Sequence, residues 1–212
     1  MYQALSGADR VGAVAVETRY GKWVYEVLWL QMGTDHQGRA VRDDFSARAK
    51  LTFTLLLVAL ALAHAVAVPL GSLAAWRRGS WLDRLVTGTV LLTHAASPAV
   101  LATLAFQLGA PLSAPLGWAV VVLALVLLAE PTCHQRSQLA AVLVADHVRA
   151  AAARGAGPLR IAVVHGLRNA MLPVVTRAAL ELPLAVTACF VLERAFSIPG
   201  LGEATLEAVA RH

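Results

Sequence analysis

Residues 51–75 read LTFTLLLVALALAHAVAVPLGSLAA, a stretch without a single Asp, Glu, Lys or Arg. At about 1.5 Å per residue, a helix of this length crosses the roughly 30 Å of hydrocarbon in a bilayer. Three further stretches, 85–110, 112–130 and 171–192, are also long and apolar enough to cross it. The sequence therefore predicts an all-α, polytopic membrane protein with four transmembrane helices.

The overall composition agrees with a membrane protein. The 212-residue chain is 58% hydrophobic and 15% charged, with a mean hydropathy of +0.64, whereas an average soluble domain is about 45–50% apolar and about 25% charged. The 18 Lys and Arg and 13 Asp and Glu leave a net charge of +5. Because the basic residues do not gather with stacking aromatic residues, nucleic-acid binding is excluded and the lipid bilayer is the expected environment.

The basic residues are unevenly distributed among the segments that connect the predicted spans. Lys and Arg number three in 76–84, five in 131–170, none in 111–117 and two in 193–212. The positive-inside rule places the first two of these segments in the cytoplasm. Residues 1–50 then form an extracytoplasmic N-terminal region, followed by a transmembrane domain over 51–212.

The cytoplasmic segment 131–170 has the pattern of two helices. Ser137 to Arg154 is amphipathic, with Ser137 as its predicted N-cap, and Gly155 and Pro158 end it. A second short helix is expected over Leu159 to Ala170, before the chain enters the membrane at Met171. The residues alone leave two interpretations open, which are a loop that faces lipid headgroups and a docking surface for a soluble partner.

Several motifs in this sequence resemble those of one transporter family. Residues 146–155, DHVRAAAARG, and 165–173, HGLRNAMLP, are similar to the cytoplasmic EAA-type loop of ABC importer permeases of the dipeptide/oligopeptide/nickel group. The resemblance continues in VPLG at 68–71, RRGSWLD at 77–83 and FSIPGLG at 196–202, and in the region from Tyr20 to Leu51. It implies the core of the six-helix type I permease fold, and we expect the chain to lack the first and last helices of that plan.

The resemblance implies a function as well as a fold. It points to the permease subunit of an ABC importer for peptides, nickel or similar small solutes in the bacterial inner membrane, and not to an enzyme with catalytic residues. The implied partners are a second permease subunit, two cytoplasmic ABC ATPases and an extracytoplasmic solute-binding protein. Since this sequence contains no GxxxxGK[ST] motif, ATP and Mg²⁺ are expected on the separate ATPase and no cofactor on this chain. A truncated or decayed paralogue without transport activity is the alternative.

The resemblance also implies which residues couple the permease to its ATPase. Small alanines allow a close approach, Gly155 permits a sharp reversal of the chain, and charged side chains hold the docking register. The expected coupling residues are Asp146, Arg149, Ala151, Arg154, Gly155, His165, Arg168, Asn169 and Pro173.

Polar residues inside the apolar stretches are candidates for a translocation pathway, because charge within a membrane span is costly. We assign His94, Arg177 and Glu181 to this group. Arg177 and Glu181 are four residues apart, so the spacing also favours an ion pair on one helical face. Arg177 is close enough to the predicted cytoplasmic end for its side chain to reach the headgroups.

The remaining histidines, cysteines and prolines indicate structure more than chemistry. His64 and His94 stand alone in apolar stretches, so we expect packed or pore-lining rings. A membrane enzyme that uses His64, His94 or His134 would need a convergent ligand set, which the spacing does not offer. Cys133 and Cys189 predict neither a metal site nor a disulfide. Pro69 and the pair Ser97-Pro98 are expected to kink their helices.

Overall fold

The computed structural model describes residues 20–21, 24, 40–109, 114–146, 148 and 168–210, with the side chains of the last range described from residue 176. The chain divides into two compact units, Met1–Lys50 and Leu51–His212. The predicted all-α class is confirmed. The helices are α1 Val41–Trp76, α2 Trp81–Ala95, α3 Pro98–Gln107, α4 Pro115–Leu127, α5 Ala129–Leu143, α6 Arg168–Ala195 and α7 Leu201–Ala210.

Helix α1 buries small residues and exposes large ones. Its buried face includes a stripe at every fourth position, which consists of Ala59, Ala63, Ala67 and Gly71. Large apolar side chains cover the outer face, namely Phe53, Leu57, Leu62 and Val66, which are 39–57% exposed. In a bilayer the large side chains contact lipid tails, and the small ones let neighbouring helices approach closely. Among the described helices, α1 is the one that is long and apolar enough to cross a membrane by itself.

The second apolar stretch is divided between two helices. α2 ends at Ala95, α3 begins at Pro98, and their axes differ by 102°. Ser97 between them is extended, as the residue before a proline tends to be, and its Oγ accepts a hydrogen bond from the Ala99 N–H at 3.4 Å. A continuous helix over 85–110 is therefore not formed, and the kink expected at Ser97-Pro98 is a complete break.

Helices α4 and α5 meet at Leu128 with a bend of 41°. Pro131 has no N–H with which to bond the carbonyl of Leu127, and this missing bond explains the bend. α5 then continues to Leu143, so the predicted helix start at Ser137 is wrong. Ser137 lies inside α5 and its Oγ donates to the His134 carbonyl at 2.8 Å. The helix begins earlier because residues after 130 pack in the bundle, where Gln135 is fully buried.

Helix α6 runs without interruption from Arg168 to Ala195. Arg168 to Ala170, which the sequence assigned to a separate cytoplasmic helix, are the first residues of α6. It packs against α3, α4, α5 and α7. The core that these helices share with α1 includes Leu55, Leu56, Leu123, Leu127, Cys189 and Leu192.

A buried carboxylate holds α7 against the end of α6. Glu193 is completely buried and accepts hydrogen bonds from the Thr52 hydroxyl at 2.6 Å and from the Gly202 N–H at 2.7 Å. The Thr52 oxygen in turn accepts from the Leu201 N–H at 2.9 Å. A Cβ at Gly200 would lie 2.2–2.4 Å from the Glu193 carboxyl atoms, so only glycine fits there. The connection from α6 to α7 is thus fixed by one side chain.

Candidate functional site

The coupling residues predicted from the sequence are only partly within the described residues. Asp146 is exposed just beyond the end of α5. Arg168, Asn169 and Pro173 lie in the first turns of α6. The others fall outside the described residues, and these are Arg149, Ala151, Arg154, Gly155 and His165.

Arg177 pairs with a residue on another helix. Its Nη2 contacts Oε1 of Glu130, in the first turn of α5, and both side chains are partly exposed. The intrahelical ion pair with Glu181 suggested by the spacing is therefore wrong. Helical side chains lean toward the N-terminus of their helix, so Arg177 extends away from the residue four positions later. The bend between α4 and α5 presents Glu130 to it.

Glu181 instead faces His64 of α1. Glu181 is 5% exposed, and its Oε2 is 3.9 Å from His64 Nε2. Within the described part of the chain, neither carboxylate oxygen has a hydrogen-bond partner, and neither does His64 Nε2. A buried carboxylate in this condition is costly, because no donor replaces the water that it has lost.

The contact between Glu181 and His64 is not a hydrogen bond, because the two facing atoms are 3.9 Å apart. His64 Nδ1 is 3.0 Å from the Leu60 carbonyl, which requires a proton on Nδ1. In a neutral ring Nε2 is then an acceptor that faces a second acceptor. Glu181 and His64 are therefore two polar side chains that face each other between α1 and α6, near the middle of α6.

The third predicted pathway residue lies elsewhere. His94 is exposed in the last turn of α2, next to the break before α3. The structure thus brings Glu181 to His64 and Arg177 to Glu130, and it leaves His94 on the surface of a different helix. Among the described residues no group of three or more His, Cys, Asp or Glu side chains is arranged to hold a metal ion.

Sequence reasoning missed an ion pair between the start of α2 and α5. Asp83 is 3% exposed and accepts hydrogen bonds from the Arg136 side chain, 2.5 Å from Nε and 2.8 Å from Nη2. Ser80 caps α2, and its Oγ accepts from the Asp83 N–H at 3.4 Å. The spacing of Ser80 and Asp83 resembles a capping box and could have marked this helix start. Arg136 as the partner is a tertiary contact that no local pattern reveals.

Comparison with known proteins places this sequence in one family. The family model described as "Binding-protein-dependent transport system inner membrane component" matches residues 67–211. That range includes the motifs at 68–71, 77–83 and 196–202, and the resemblance drawn from them is confirmed.

Individual relatives are permeases of peptide transport systems. The chain is 30% identical over 181 residues to the dipeptide transport system permease protein DppB of Bacillus subtilis, with 80% of this chain and 59% of that protein covered. It is 30% identical over 211 residues to the oligopeptide permease protein AppB of the same organism, covering 87% of this chain and 66% of the relative. It is 28% identical over 238 residues to the dipeptide transport system permease protein DppB of Escherichia coli K12, covering 91% of this chain and 70% of that protein. The chain thus spans about three fifths to two thirds of the two Bacillus relatives.

Proposed function

Because the chain belongs to the family of binding-protein-dependent transport system inner membrane components, we propose that it is a permease subunit of an ATP-driven importer. The observation that carries the proposal is the family match over residues 67–211. Peptides or similar small solutes are the proposed cargo, since the relatives cited above are dipeptide and oligopeptide permeases. The packing of α1, small residues inward and large ones outward, supports a role within the membrane.

The proposed setting is the bacterial inner membrane, crossed several times, with residues 1–50 outside the cytoplasm. Segments 76–84 and 131–170 face the cytoplasm in this arrangement. The contact between Asp83 and Arg136 supports it, because it joins these two basic segments at the same end of the bundle.

The coupling segment, defined as residues 146–173, is the proposed docking site for a cytoplasmic ABC ATPase. Its position supports this role, since it follows α5 closely and its last residues already belong to α6. A push on the segment would therefore act on two helices of the bundle. We propose that a complete importer contains this chain, a second permease subunit, two ATPases that hold ATP and Mg²⁺, and an extracytoplasmic solute-binding protein. No cofactor is assigned to this chain.

Arg177 and Glu181 of α6 are the proposed polar residues of the translocation pathway, and His94, exposed at the end of α2, is proposed to line it nearer the break between α2 and α3. Charged and unpaired polar groups inside an apolar bundle are unfavourable for stability, so their presence indicates a use. Glu181 is the best supported of the three, because its carboxylate is buried and lacks hydrogen-bond donors among the described residues.

The experiment is reconstitution of the whole importer in proteoliposomes, with the cognate ATPases and binding protein. We expect ATP-dependent uptake of a di- or oligopeptide by the wild-type complex. Arg149→Glu and Gly155→Pro should weaken recovery of the ATPase with the permease by about tenfold, a typical effect of losing charged interface contacts. Arg48→Gln is the matched control, because its ion pair with Asp44 lies on the first turns of α1.

Two results would contradict the proposal. A complex that takes up no peptide despite intact ATPase binding overturns the transport function. Wild-type recovery of the ATPase with both coupling variants overturns the docking role of residues 146–173.

A further inference from the structure

Asp83 and Arg136 form an ion pair that joins two helices. Asp83 is in the first turn of α2, and Arg136 is near the middle of α5. The Arg136 Nε lies 2.5 Å from Oδ1 and its Nη2 lies 2.8 Å from Oδ2, so the guanidinium contacts both carboxylate oxygens. This two-point geometry fixes direction as well as distance, and a lysine could not reproduce it.

The same carboxylate also holds the turn between α1 and α2. Gly79 donates its N–H to Asp83 Oδ2 at 3.0 Å. Gly79 has a φ of +82°, a left-handed conformation that favours glycine. Asp83 therefore connects three parts of the chain, which are the turn after α1, the start of α2 and the side of α5.

The ends of α1 and α5 are in direct contact beside this ion pair. A Cβ on Gly71 would lie 2.6 Å from the Thr132 carbonyl oxygen, so the two backbones approach as closely as glycine allows. The Gln135 side-chain amide donates to Ser72 Oγ at 3.2 Å. One turn further, Ala75 packs against Leu139 of α5. The last turns of α1, the first turn of α2 and the central part of α5 therefore form one packed cluster.

Small apolar contacts alone would hold this cluster only loosely in register. Alanine and glycine surfaces offer little that resists sliding of one helix along another, whereas a two-point ion pair between the buried Asp83 and the partly exposed Arg136 fixes one relative position. Separation of the pair would leave the almost fully buried Asp83 carboxylate without its counter-charge, which is strongly unfavourable. When α5 is displaced along its axis, α1 and α2 therefore move with it instead of staying in place while α5 slides past them.

We propose that the Asp83–Arg136 pair is the clamp through which movement of the coupling segment reaches α1 and α2. Arg136 is two helical turns before the end of α5 at Leu143, and the coupling segment begins three residues after that end. The inference rests on the proposed transport function. Asp83 and Arg136 are positioning residues in it, since they act through the helices that they join.

The test uses the complete importer in proteoliposomes with Asp83→Asn/Arg136→Gln, which removes both charges and so leaves no unpaired buried charge. We expect the complex to assemble and hydrolyse ATP. The number of ATP molecules hydrolysed per peptide imported should rise about fivefold, a factor that corresponds to the lower end of typical coupling free energies between sites. Arg136→Lys should give a smaller rise, because it keeps the charge but loses the two-point contact. Asp44→Asn/Arg48→Gln removes an exposed ion pair of α1 and should leave the ratio unchanged.

The outcomes of this experiment distinguish failure of the clamp from failure of the proposed transport function. If the wild-type complex imports peptide and the Asp83→Asn/Arg136→Gln complex keeps the wild-type ratio, the pair has a structural role only and the clamp is wrong. A wild-type complex that imports nothing overturns the proposed function and this inference with it. If the double variant fails to assemble, Arg136→Lys decides, and an unchanged ratio in that variant also overturns the clamp.

Discussion

Glu181 and Glu193 are carboxylates on the same helix, α6, and both are buried, with 5% and 0% of their surface exposed. Glu193 is surrounded by donors, including the Thr52 hydroxyl, the Gly202 N–H and the Cys189 thiol, whose Sγ is 3.7 Å from Oε1. Glu181 has no hydrogen-bond donor among the described residues, only the ring of His64 at 3.9 Å. The two carboxylates differ because neighbouring helices place hydrogen-bond donors around Glu193 and none around Glu181 among the described residues.

This comparison separates a structural carboxylate from a candidate functional one. The hydrogen bonds to Glu193 replace its lost water and attach the start of α7, so its burial is compensated. The burial of Glu181 is not compensated within the described part of the chain. We therefore expect Glu193 to raise the free energy of unfolding and Glu181 to lower it.

The largest expected effect is the loss of Glu193. Glu193→Ala removes the acceptor for Thr52 and Gly202 and leaves a cavity, so the free energy of unfolding should fall by about 3–5 kcal/mol. Thermal unfolding of the detergent-solubilised protein measures this change. Arg194→Ala is the adjacent control, because its side chain is 63% exposed and its loss should cost below about 0.5 kcal/mol. Equal losses in the two variants would contradict the structural role of Glu193.

A smaller effect is expected from crowding the same carboxylate. Gly200→Ala places a Cβ against the Glu193 carboxyl group and should destabilise the protein by about 2 kcal/mol, as overpacking does. Gly88→Ala is the matched control, since nothing lies within 4 Å of its Cβ position in α2. That helical substitution should leave the protein equally or slightly more stable. The prediction fails if Gly200→Ala unfolds at the temperature of Gly88→Ala.

The smallest expected effect concerns Glu181 and His64. Glu181→Gln should leave the free energy of unfolding unchanged or raise it by about 1 kcal/mol, because it removes an uncompensated buried charge. His64→Leu alone should destabilise the protein, and much less so when combined with Glu181→Gln. A double-mutant cycle of the unfolding free energies should give a coupling of about 1 kcal/mol. Additive changes would show that the two side chains do not stabilise each other.

The sequence was sufficient for the fold class and the family, and less so for the helix ends. The predicted end of the first span agrees with α1, which stops at Trp76 before the basic turn. Its start differs, because residues 41–50 are polar and hydropathy cannot detect a helix that continues beyond the apolar stretch. Asp43 and Asp44 in the first turn, favourable at a helix N-terminus, were the available signal.

The site was harder to predict because its contacts join distant parts of the chain. Spacing suggested that Arg177 pairs with Glu181, but Glu130 and His64 are brought to these residues by α5 and α1. Charged residues in the apolar stretch 171–192 drew attention to α6, but the choice of partner depends on helix packing. The Asp83–Arg136 pair was missed for the same reason, since its residues are 53 positions apart.

The stripe of alanine and glycine on α1 has a consequence for how the helix tolerates change. Its neighbours are separated from the α1 backbone by no more than a methyl group along the stripe. Substitution by a larger residue at any one of these positions would hold the helices apart above and below that position as well. On the lipid-facing side, one large apolar residue can replace another at little cost. Tolerance to substitution along α1 should therefore vary with the helical period, and its minima mark the face that the helix keeps toward the bundle.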